Sequence, residues 1–142
     1  MTTRELIADD AELWHAATHH PFLDGVRGGS LDPAAPLHPT VRAYADYLLA
    51  TTYEPYAVQL TALWALERAY LEAWRTALPG ASAYREYVEH WTNETYAAWV
   101  DSLEAAANRV LTDAGEPERD AFRWIARYER DFWQMAYTGR DG

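Results

Sequence analysis

Two glutamates stand on apolar helical stripes, where a carboxyl group is uncommon. The first, Glu67, lies in the stretch PYAVQLTALWALERAYLEAWRTAL, three or four residues from Leu63, Trp64, Tyr70 and Leu71. This spacing places the apolar residues on one face of an α-helix. Because burial penalises the charged form of a carboxyl group, such a glutamate needs a partner or holds its proton more tightly. The pattern therefore indicates proton-transfer chemistry at Glu67.

A second glutamate, Glu129, repeats this arrangement in AFRWIARYERDFWQMAY. It shares a stripe with six apolar residues, namely Phe122, Ile125, Ala126, Phe132, Trp133 and Ala136. Two such carboxyl groups could form an acid–base pair, in which one donates a proton and the other accepts one. The sequence thus predicts a pocket between two helices, faced by Glu67 and Glu129. The residues leave an alternative open: each glutamate reaches the helix edge or pairs with an arginine, such as Arg68, Arg123 or Arg127.

Aromatic residues are abundant, with seven tryptophans and ten tyrosines. Most of them fall on helical stripes and are expected to pack in the core. A buried tyrosine also needs a partner for its hydroxyl group. If Tyr44, Tyr70 and Trp91 surrounded the two carboxyl groups, they would form a flat slot with polar edges that could bind an aromatic ring.

Metal and phosphate sites are not expected. Glu12 and His15 form one E-x-x-H motif, of the kind that di-iron bundles carry on two helices, but no second copy is present. A solvated helix face explains the single copy. The remaining histidines lack zinc-ligand spacing, and Gly25, Gly28 and Gly29 follow no strand and match no phosphate-binding loop. We therefore predict no metal and no cofactor.

Charge and composition exclude several classes of function. The net charge of −10 argues against nucleic acid or an anionic membrane as partner. Since there is no cysteine, a disulfide framework, a thiolate nucleophile and a cysteine-type zinc site are all excluded. The sequence also shows no long apolar run and no signal peptide. We expect a cytoplasmic protein that binds a small molecule.

The elements that position these residues are expected to form one all-α domain of about six helices over residues 1–142. The predicted helices run from Glu5 to His19, Val41 to Thr51, Pro55 to Leu78, Ala83 to Trp91, from a cap at Thr92 or Asn93 to Gly115, and from Pro117 onward, with Thr40 as the cap of the second. A long connector joins Pro21 to Pro39. Connectors of this length in a compact domain are usually functional or mark a missing segment.

Five motifs resemble the TenA family, in the same order along the chain. They read LWHAATHHPFLDGVRGGSLD, PTVRAY, ALWALERAYLEAW, YREYVEHWTNETYAAWV and YERDFWQMAY. The resemblance covers nearly the whole chain and implies a heme-oxygenase-like helical bundle. It also implies thiamin salvage by a thiaminase II or aminopyrimidine aminohydrolase. Such an enzyme hydrolyses aminomethyl-pyrimidine or its formylated form, or cleaves thiamin itself.

The resemblance also implies roles for individual residues. Glu129 of E-x-x-F-W matches the glutamate that the family uses for proton transfer and pyrimidine recognition. Tyr44 of PTVRAY matches a tyrosine that lines the pyrimidine pocket, and Trp91 matches a further aromatic position. Glu67 falls where the cysteine clade of the family has its nucleophile. A second clade of the family places a glutamate near that position. Because this chain has no cysteine, it resembles that glutamate clade.

One departure from the family pattern concerns the connector. Family members carry two further helices there, with a Q-D-Y motif whose aspartate grips the aminopyrimidine, whereas this sequence runs directly from Leu31 to His38. Neither Asp24 nor Asp46 can be assumed to replace that aspartate. Because the loss of two helices uncovers apolar stripes, and large apolar patches mark interfaces, we expect a homodimer or larger assembly that covers the open side.

Three functions compete at this stage. The first is an aminopyrimidine hydrolase that uses Glu67 and Glu129. The second is a pyrimidine-binding or protein-interaction bundle that lost its activity together with the missing helices. The third is an oxygen-activating or redox bundle, which the lack of a second E-x-x-H motif disfavours.

Overall fold

The computed structural model describes residues 1–21, 23, 38–78, 85–111 and 115–138. Within these ranges the chain forms helices and no strand, so the all-α prediction is confirmed. The helical segments are α1 (Thr3–Asp9), α2 (Ala11–Thr18), α3 (Pro39–Thr51), α4 (Tyr56–Thr76), α5 (Arg85–His90), α6 (Glu94–Val110) and α7 (Glu116–Thr138).

The predicted first helix is divided at Asp10 into α1 and α2. Asp10 has φ −125° and ψ 40°, which lie outside the α region. Its two carboxylate oxygens share one bifurcated hydrogen bond from the Nε–H of Arg123, at 3.0 and 3.2 Å. This long-range ion pair accompanies the break and could not be read from the local pattern. Helix α1 also begins earlier than predicted, because Thr2 and Glu5 form a capping box.

Proline and histidine define the starts of α3 and α4. His38 is the N-cap of α3, since its Nδ1 accepts a hydrogen bond from the Thr40 backbone N–H at 3.1 Å. The predicted cap, Thr40, therefore lies within the first turn, after Pro39. Pro55, which was predicted to be the first helical residue, is the N-cap of α4, so this helix begins one residue later, at Tyr56. These changes in where α3 and α4 begin do not alter which residues lie on each face of the two helices.

Helix α4 is the central element and packs against α2, α6 and α7. At this junction, Trp14 stacks on Trp64 with ring centroids 6.3 Å apart and on Phe122 at 5.2 Å. All three rings are buried. Since large aromatic side chains contribute most of the apolar area in a small core, this stack fixes α2, α4 and α7 relative to one another.

A second, smaller apolar cluster lies at the C-terminal end of α4. Its buried members are Leu23, Ala73, Ala77, Val88 and Trp133, which join α4 to α5 and α7. Tyr70 and Trp74 pack against this cluster. The cluster therefore holds the part of α4 that follows Glu67.

Three sequence predictions fall outside the described residues, and a fourth concerns the outer face of α4. The 31–38 gap, the glycine-rich turn and Asp24 fall largely or wholly in the undescribed range 24–37. Leu63 is 40% exposed despite its place on the predicted stripe, because it lies on the side of α4 away from the stacked core. No helix in the described part of the chain is long and apolar enough to cross a membrane.

Candidate functional site

Glu129 is buried in the middle of α7, with 3% of its surface exposed. The residues around it on the same face, including Ile125, Ala126 and Trp133, are also buried. Its Oε1 atom has no hydrogen-bond partner among the described residues. Burial raises the pKa of Glu129 to about 8; the nearby Tyr44 hydroxyl opposes this rise, and the charge of Glu67 adds to it. At neutral pH the carboxyl group is therefore mostly protonated.

The Tyr44 hydroxyl is the polar group that faces Glu129. It is buried and, within the described chain, completes no hydrogen bond of standard geometry. Burial raises the pKa of Tyr44 well above its ordinary value, and the proximity of Glu129 raises it further. Its ring stacks on Tyr128 with centroids 5.1 Å apart. Two buried polar groups thus lie together with hydrogen-bonding capacity left for a ligand.

Glu129 and Tyr44 line a cavity of about 250 Å³, which we call the Glu129 cavity. Its lining residues are Val41, Tyr44, Ala45, Leu48, Leu66, Tyr70, Glu129 and Phe132. Three of the predicted site residues are therefore brought together: Tyr44, Tyr70 and Glu129. The volume lies just below the range of about 300–1,000 Å³ that is usual for ligand pockets. A mainly apolar cavity of this size suits one small ring.

Glu67 lines a neighbouring depression of about 430 Å³, which we call the Leu63 groove. Its lining residues are Leu48, Thr51, Tyr56, Gln59, Leu60, Ala62, Leu63, Leu66 and Glu67. The Tyr96 hydroxyl donates a hydrogen bond to Oε2 of Glu67 at 2.6 Å and also contacts the Glu67 backbone oxygen at 3.1 Å. Tyr96 therefore fixes the orientation of this carboxyl group.

Leu48 and Leu66 line both the Glu129 cavity and the Leu63 groove. The two glutamates consequently face adjoining compartments instead of the single hollow that the sequence suggested. The charge of Glu67 nevertheless raises the pKa of Glu129, so the two groups interact electrostatically. The predicted pair therefore interacts across two adjoining compartments whose linings share Leu48 and Leu66.

Trp91 lies behind the cavity wall. Its ring meets Tyr70 edge-on with centroids 4.9 Å apart, and it meets Tyr96 edge-on at 5.3 Å. Trp91 is absent from the lining of the Glu129 cavity and of the Leu63 groove. In the described chain it supports two site tyrosines, and direct contact between Trp91 and a substrate stays a prediction.

The three arginines that could have paired with the glutamates contact other groups. Their contacts are Arg68 with Glu72 at 3.4 Å, Arg123 with Asp10 at 3.0 Å, and Arg127 with the Trp124 ring at 5.1 Å. No ion pair joins any of them to Glu67 or Glu129. The two carboxyl groups are therefore not neutralised by these arginines, which was the alternative the sequence left open.

The E-x-x-H motif lies on α2, where Glu12 and His15 are both exposed. The His15 ring stacks on His19 with centroids 4.3 Å apart. Nowhere in the described ranges do three or more histidine, aspartate or glutamate side chains form a group that could hold a metal ion.

Sequence reasoning missed the role of Tyr96 and most of the apolar lining. Tyr96 lies in the first turn of α6, where Asn93 caps the helix by accepting from the Tyr96 backbone N–H at 2.9 Å. The motif YREYVEHWTNETYAAWV contains Tyr96, so the signal was present. The sequence pattern alone does not show that this tyrosine reaches Glu67 on α4.

The fold and the site together define a class of protein. It is an all-α bundle in which a buried, mostly neutral glutamate and a buried tyrosine hydroxyl line a cavity that suits one ring. A family model described as TENA/THI-4/PQQC family matches residues 33–139. The chain belongs to this family, as the sequence motifs predicted.

Individual relatives agree with this assignment. A probable bifunctional TENA-E protein of Glycine max is 29% identical over 89 residues, which are 57% of this chain and 39% of that protein. The chain thus spans well under half of that curated relative. A TenA homologue from Pyrococcus furiosus superimposes with a TM-score of 0.85 at 19% identity, covering 96% of this chain and 100% of that one. A TenA homologue from P. horikoshii superimposes with a TM-score of 0.83 at 18% identity, and the match covers 97% of this chain and 99% of that one. These structures confirm the helical, heme-oxygenase-like fold.

Proposed function

We propose that this protein is a thiamin-salvage hydrolase that acts on an aminopyrimidine, with Glu129 and Glu67 as its acid–base pair. The substrate would be aminomethyl-pyrimidine, its formylated form, or thiamin. One observation carries the proposal: a TenA-family chain buries Glu129 with an unpartnered oxygen in a cavity of about 250 Å³. Perturbed, buried carboxyl groups in ligand-sized cavities are typical of catalytic acids.

The chemistry follows from the two carboxyl environments. Hydrolysis adds water across a carbon–nitrogen bond: the water oxygen bonds to carbon, and an amino or amide nitrogen departs with an added proton. In thiamin the positively charged thiazolium nitrogen takes the electron pair and departs as neutral thiazole, without an added proton. Glu129, mostly protonated at neutral pH, donates the proton that an amino or amide nitrogen needs. Glu67, held by the Tyr96 hydroxyl, accepts a proton from the attacking water. Proton exchange with solvent then restores both groups.

The substrate ring would lie among the apolar and aromatic lining of the Glu129 cavity. Tyr70 and Phe132 supply aromatic surface, while the Tyr44 hydroxyl and Glu129 supply two hydrogen-bonding groups on one side. A pyrimidine carries ring nitrogens and an amino group that can satisfy both. Burying the unpartnered polar groups against such a ligand removes the unfavourable free energy of leaving them unbonded.

The direct test is ammonia release from aminomethyl-pyrimidine by the purified protein. Turnover that is lost in Glu129→Gln and in Glu67→Gln supports the proposal. Glu89→Gln serves as the matched control, because Glu89 is exposed on α5 and lines neither compartment. Wild-type protein that hydrolyses none of aminomethyl-pyrimidine, its formylated form and thiamin, or variants that keep full turnover, would overturn it.

Binding without catalysis is the second candidate. It is favoured by Ala45, which lines the Glu129 cavity and is itself exposed, so the cavity opens to the surface there. Hydrolases of small substrates generally exclude bulk water from the reacting atoms. A thermal shift with aminomethyl-pyrimidine in the absence of ammonia release would indicate this function.

The sequence also led us to expect an assembly of several copies of the chain. We propose that a second copy of the chain covers the Leu63 groove. Leu63 and Tyr56 line this groove and are 40% and 67% exposed, and Tyr53 in the preceding turn is 90% exposed. Exposed apolar groups gathered in this way are typical of interfaces. The cytoplasm remains the location we propose, in keeping with a cysteine-free chain.

A further inference from the structure

A third cavity, of about 330 Å³, lies between the end of α3 and the start of α7, and we call it the Trp124 cavity. Its lining residues are Tyr47, Ala50, Thr51, Glu54, Val58, Pro117, Asp120, Ala121 and Trp124. No residue of the described chain lines both this cavity and the Glu129 cavity. The proposed hydrolase chemistry makes no use of it.

One wall of the Trp124 cavity is aromatic. The rings of Tyr47 and Trp124 lie 6.2 Å apart at 39°, and both pack on Tyr128, at 5.3 and 5.7 Å. These contacts hold the two lining rings in place without a ligand. Aromatic faces attract cations as well as apolar groups.

Two carboxylates stand on the same cavity. Glu54, in the turn after α3, forms no ion pair with any residue that the structure describes. Asp120 is 3.8 Å from Arg123, but the Nε atom of that arginine bonds to Asp10 at 3.0 Å. Arg123 is thus shared between Asp10 and Asp120, and Glu54 has no ion-pair partner among the described residues.

The Tyr47 hydroxyl lies within the field of both carboxylates. Burial raises the pKa of Tyr47 to about 12, and the nearby Tyr128, Glu54 and Asp120 add to the increase. The hydroxyl is therefore neutral at physiological pH and can act as an acceptor. Three residues with acceptor oxygens, Glu54, Asp120 and Tyr47, therefore line one cavity together with the buried Val58 and Ala121.

We propose that the Trp124 cavity binds a small primary ammonium ion attached to an apolar body. The ammonium group has three N–H donors, which match the carboxylates of Glu54 and Asp120 and the hydroxyl of Tyr47. The apolar body lies against Trp124, Val58 and Ala121. Because the Arg127 guanidinium already lies 5.1 Å from the Trp124 ring, the carboxylates, and not the ring face, provide the charge recognition.

Titration calorimetry with benzylammonium chloride at pH 7 and low salt tests this proposal. We expect millimolar binding by the wild-type protein and binding of benzyl alcohol that is weaker by about tenfold or more, because the alcohol lacks the charge. The double variant Glu54→Gln, Asp120→Asn should also lose about tenfold in affinity for benzylammonium.

A matched control variant changes the net charge by the same amount, but at residues that do not line the cavity. It is the double variant Asp46→Asn, Glu89→Gln, whose side chains line none of the three compartments. This control should bind as the wild type does, and so should Glu129→Gln. Equal affinity for benzyl alcohol, unchanged affinity in the Glu54 and Asp120 variant, or loss of binding in Glu129→Gln would each overturn the proposal. Circular dichroism shows whether each variant is folded. If a variant does not fold, the comparison of benzylammonium with benzyl alcohol on the wild-type protein still tests the proposal.

Discussion

The Tyr96 hydroxyl donates a 2.6 Å hydrogen bond to Oε2 of Glu67, joining the first turn of α6 to the middle of α4. The two residues are 29 positions apart in the sequence. A hydrogen bond this short to a carboxyl group fixes the side chain in one orientation. In the proposed mechanism, Tyr96 is thus a positioning residue for the group that activates water.

Removing this hydroxyl should lower activity more than stability. Tyr96→Phe keeps the ring contact with Trp91 and loses only the hydrogen bond to Glu67. We expect kcat/KM to fall by about 10- to 100-fold, since a hydrogen bond to a charged group contributes about 1.5–3 kcal/mol. Steady-state kinetics and thermal melting measure the two effects, and Tyr87→Phe, on the exposed ring of α5, is the control. Unchanged kcat/KM in Tyr96→Phe would show that Glu67 needs no such support.

The raised pKa of Glu129 makes folding stability depend on pH. In the unfolded chain Glu129 ionises near its ordinary value of 4.5, whereas in the folded protein its pKa is about 8. The folded state therefore holds more protons between these values, and its stability falls as pH rises through that interval, by up to about 1.4 kcal/mol per pH unit. Urea unfolding of wild type and Glu129→Gln from pH 5 to 9 isolates this contribution. The variant should gain stability relative to wild type as pH rises, and parallel curves would contradict the assignment.

Catalysis by Glu129 should depend on the same proton. If Glu129 is the general acid, kcat/KM falls above a pH of about 8, where the carboxyl group of the free enzyme loses its proton. A pH–rate profile of ammonia release from aminomethyl-pyrimidine measures this fall in kcat/KM. The profile of Glu89→Gln should match that of the wild type. An activity that rises steadily through pH 8 to 10 would remove Glu129 from the acid role.

The aromatic stack at the centre of the bundle should dominate stability. Phe122 is fully buried between Trp14 and Trp64, so Phe122→Ala should lower the free energy of unfolding by about 3–5 kcal/mol. Trp99 is 48% exposed on α6, and Trp99→Ala should cost about 1 kcal/mol or less. Denaturant titrations compare the two directly. Equal losses would mean that the stack does not form the centre of the core.

Assembly through the Leu63 groove can be tested by a charge placed within it. Leu63→Glu should convert an assembly of the wild-type protein into monomers, because the buried contact would then carry an unpaired carboxylate. Leu78→Glu changes another exposed leucine at the end of α4, outside the groove, and should leave the assembly intact. Size exclusion with light scattering at micromolar concentration measures each mass. A wild-type monomer would contradict the proposed assembly.

Local periodicity predicted the features that depend on one helix at a time. Glu129 was identified from the apolar residues three and four positions away, and those same residues bury it in the structure. The all-α class followed in the same way from stripes, caps and proline signals. A side chain's place on one helical face is set by 3.6 residues per turn, which the sequence displays directly.

Features that depend on contacts between two helices could not be predicted from the spacing of residues within each helix. The break at Asp10 involves Arg123, 113 positions away, and the Tyr96 hydrogen bond crosses from α6 to α4. The separation of Glu67 from Glu129 depends on how α3 and α4 are rotated, since Leu48 and Leu66 come from these helices. Periodicity fixes neither rotation nor spacing between helices, so these relationships required coordinates.

Among the residues that the structure describes, Leu48 and Leu66 are the two that line both of the compartments holding the acidic groups. Replacing either leucine by alanine would remove three carbon atoms that line both compartments and would enlarge both, while the two acids stayed in place. The breadth of molecules that the protein accepts can therefore change through single aliphatic replacements, independently of its proton chemistry. Relatives with the same acids could in this way diverge toward bulkier compounds.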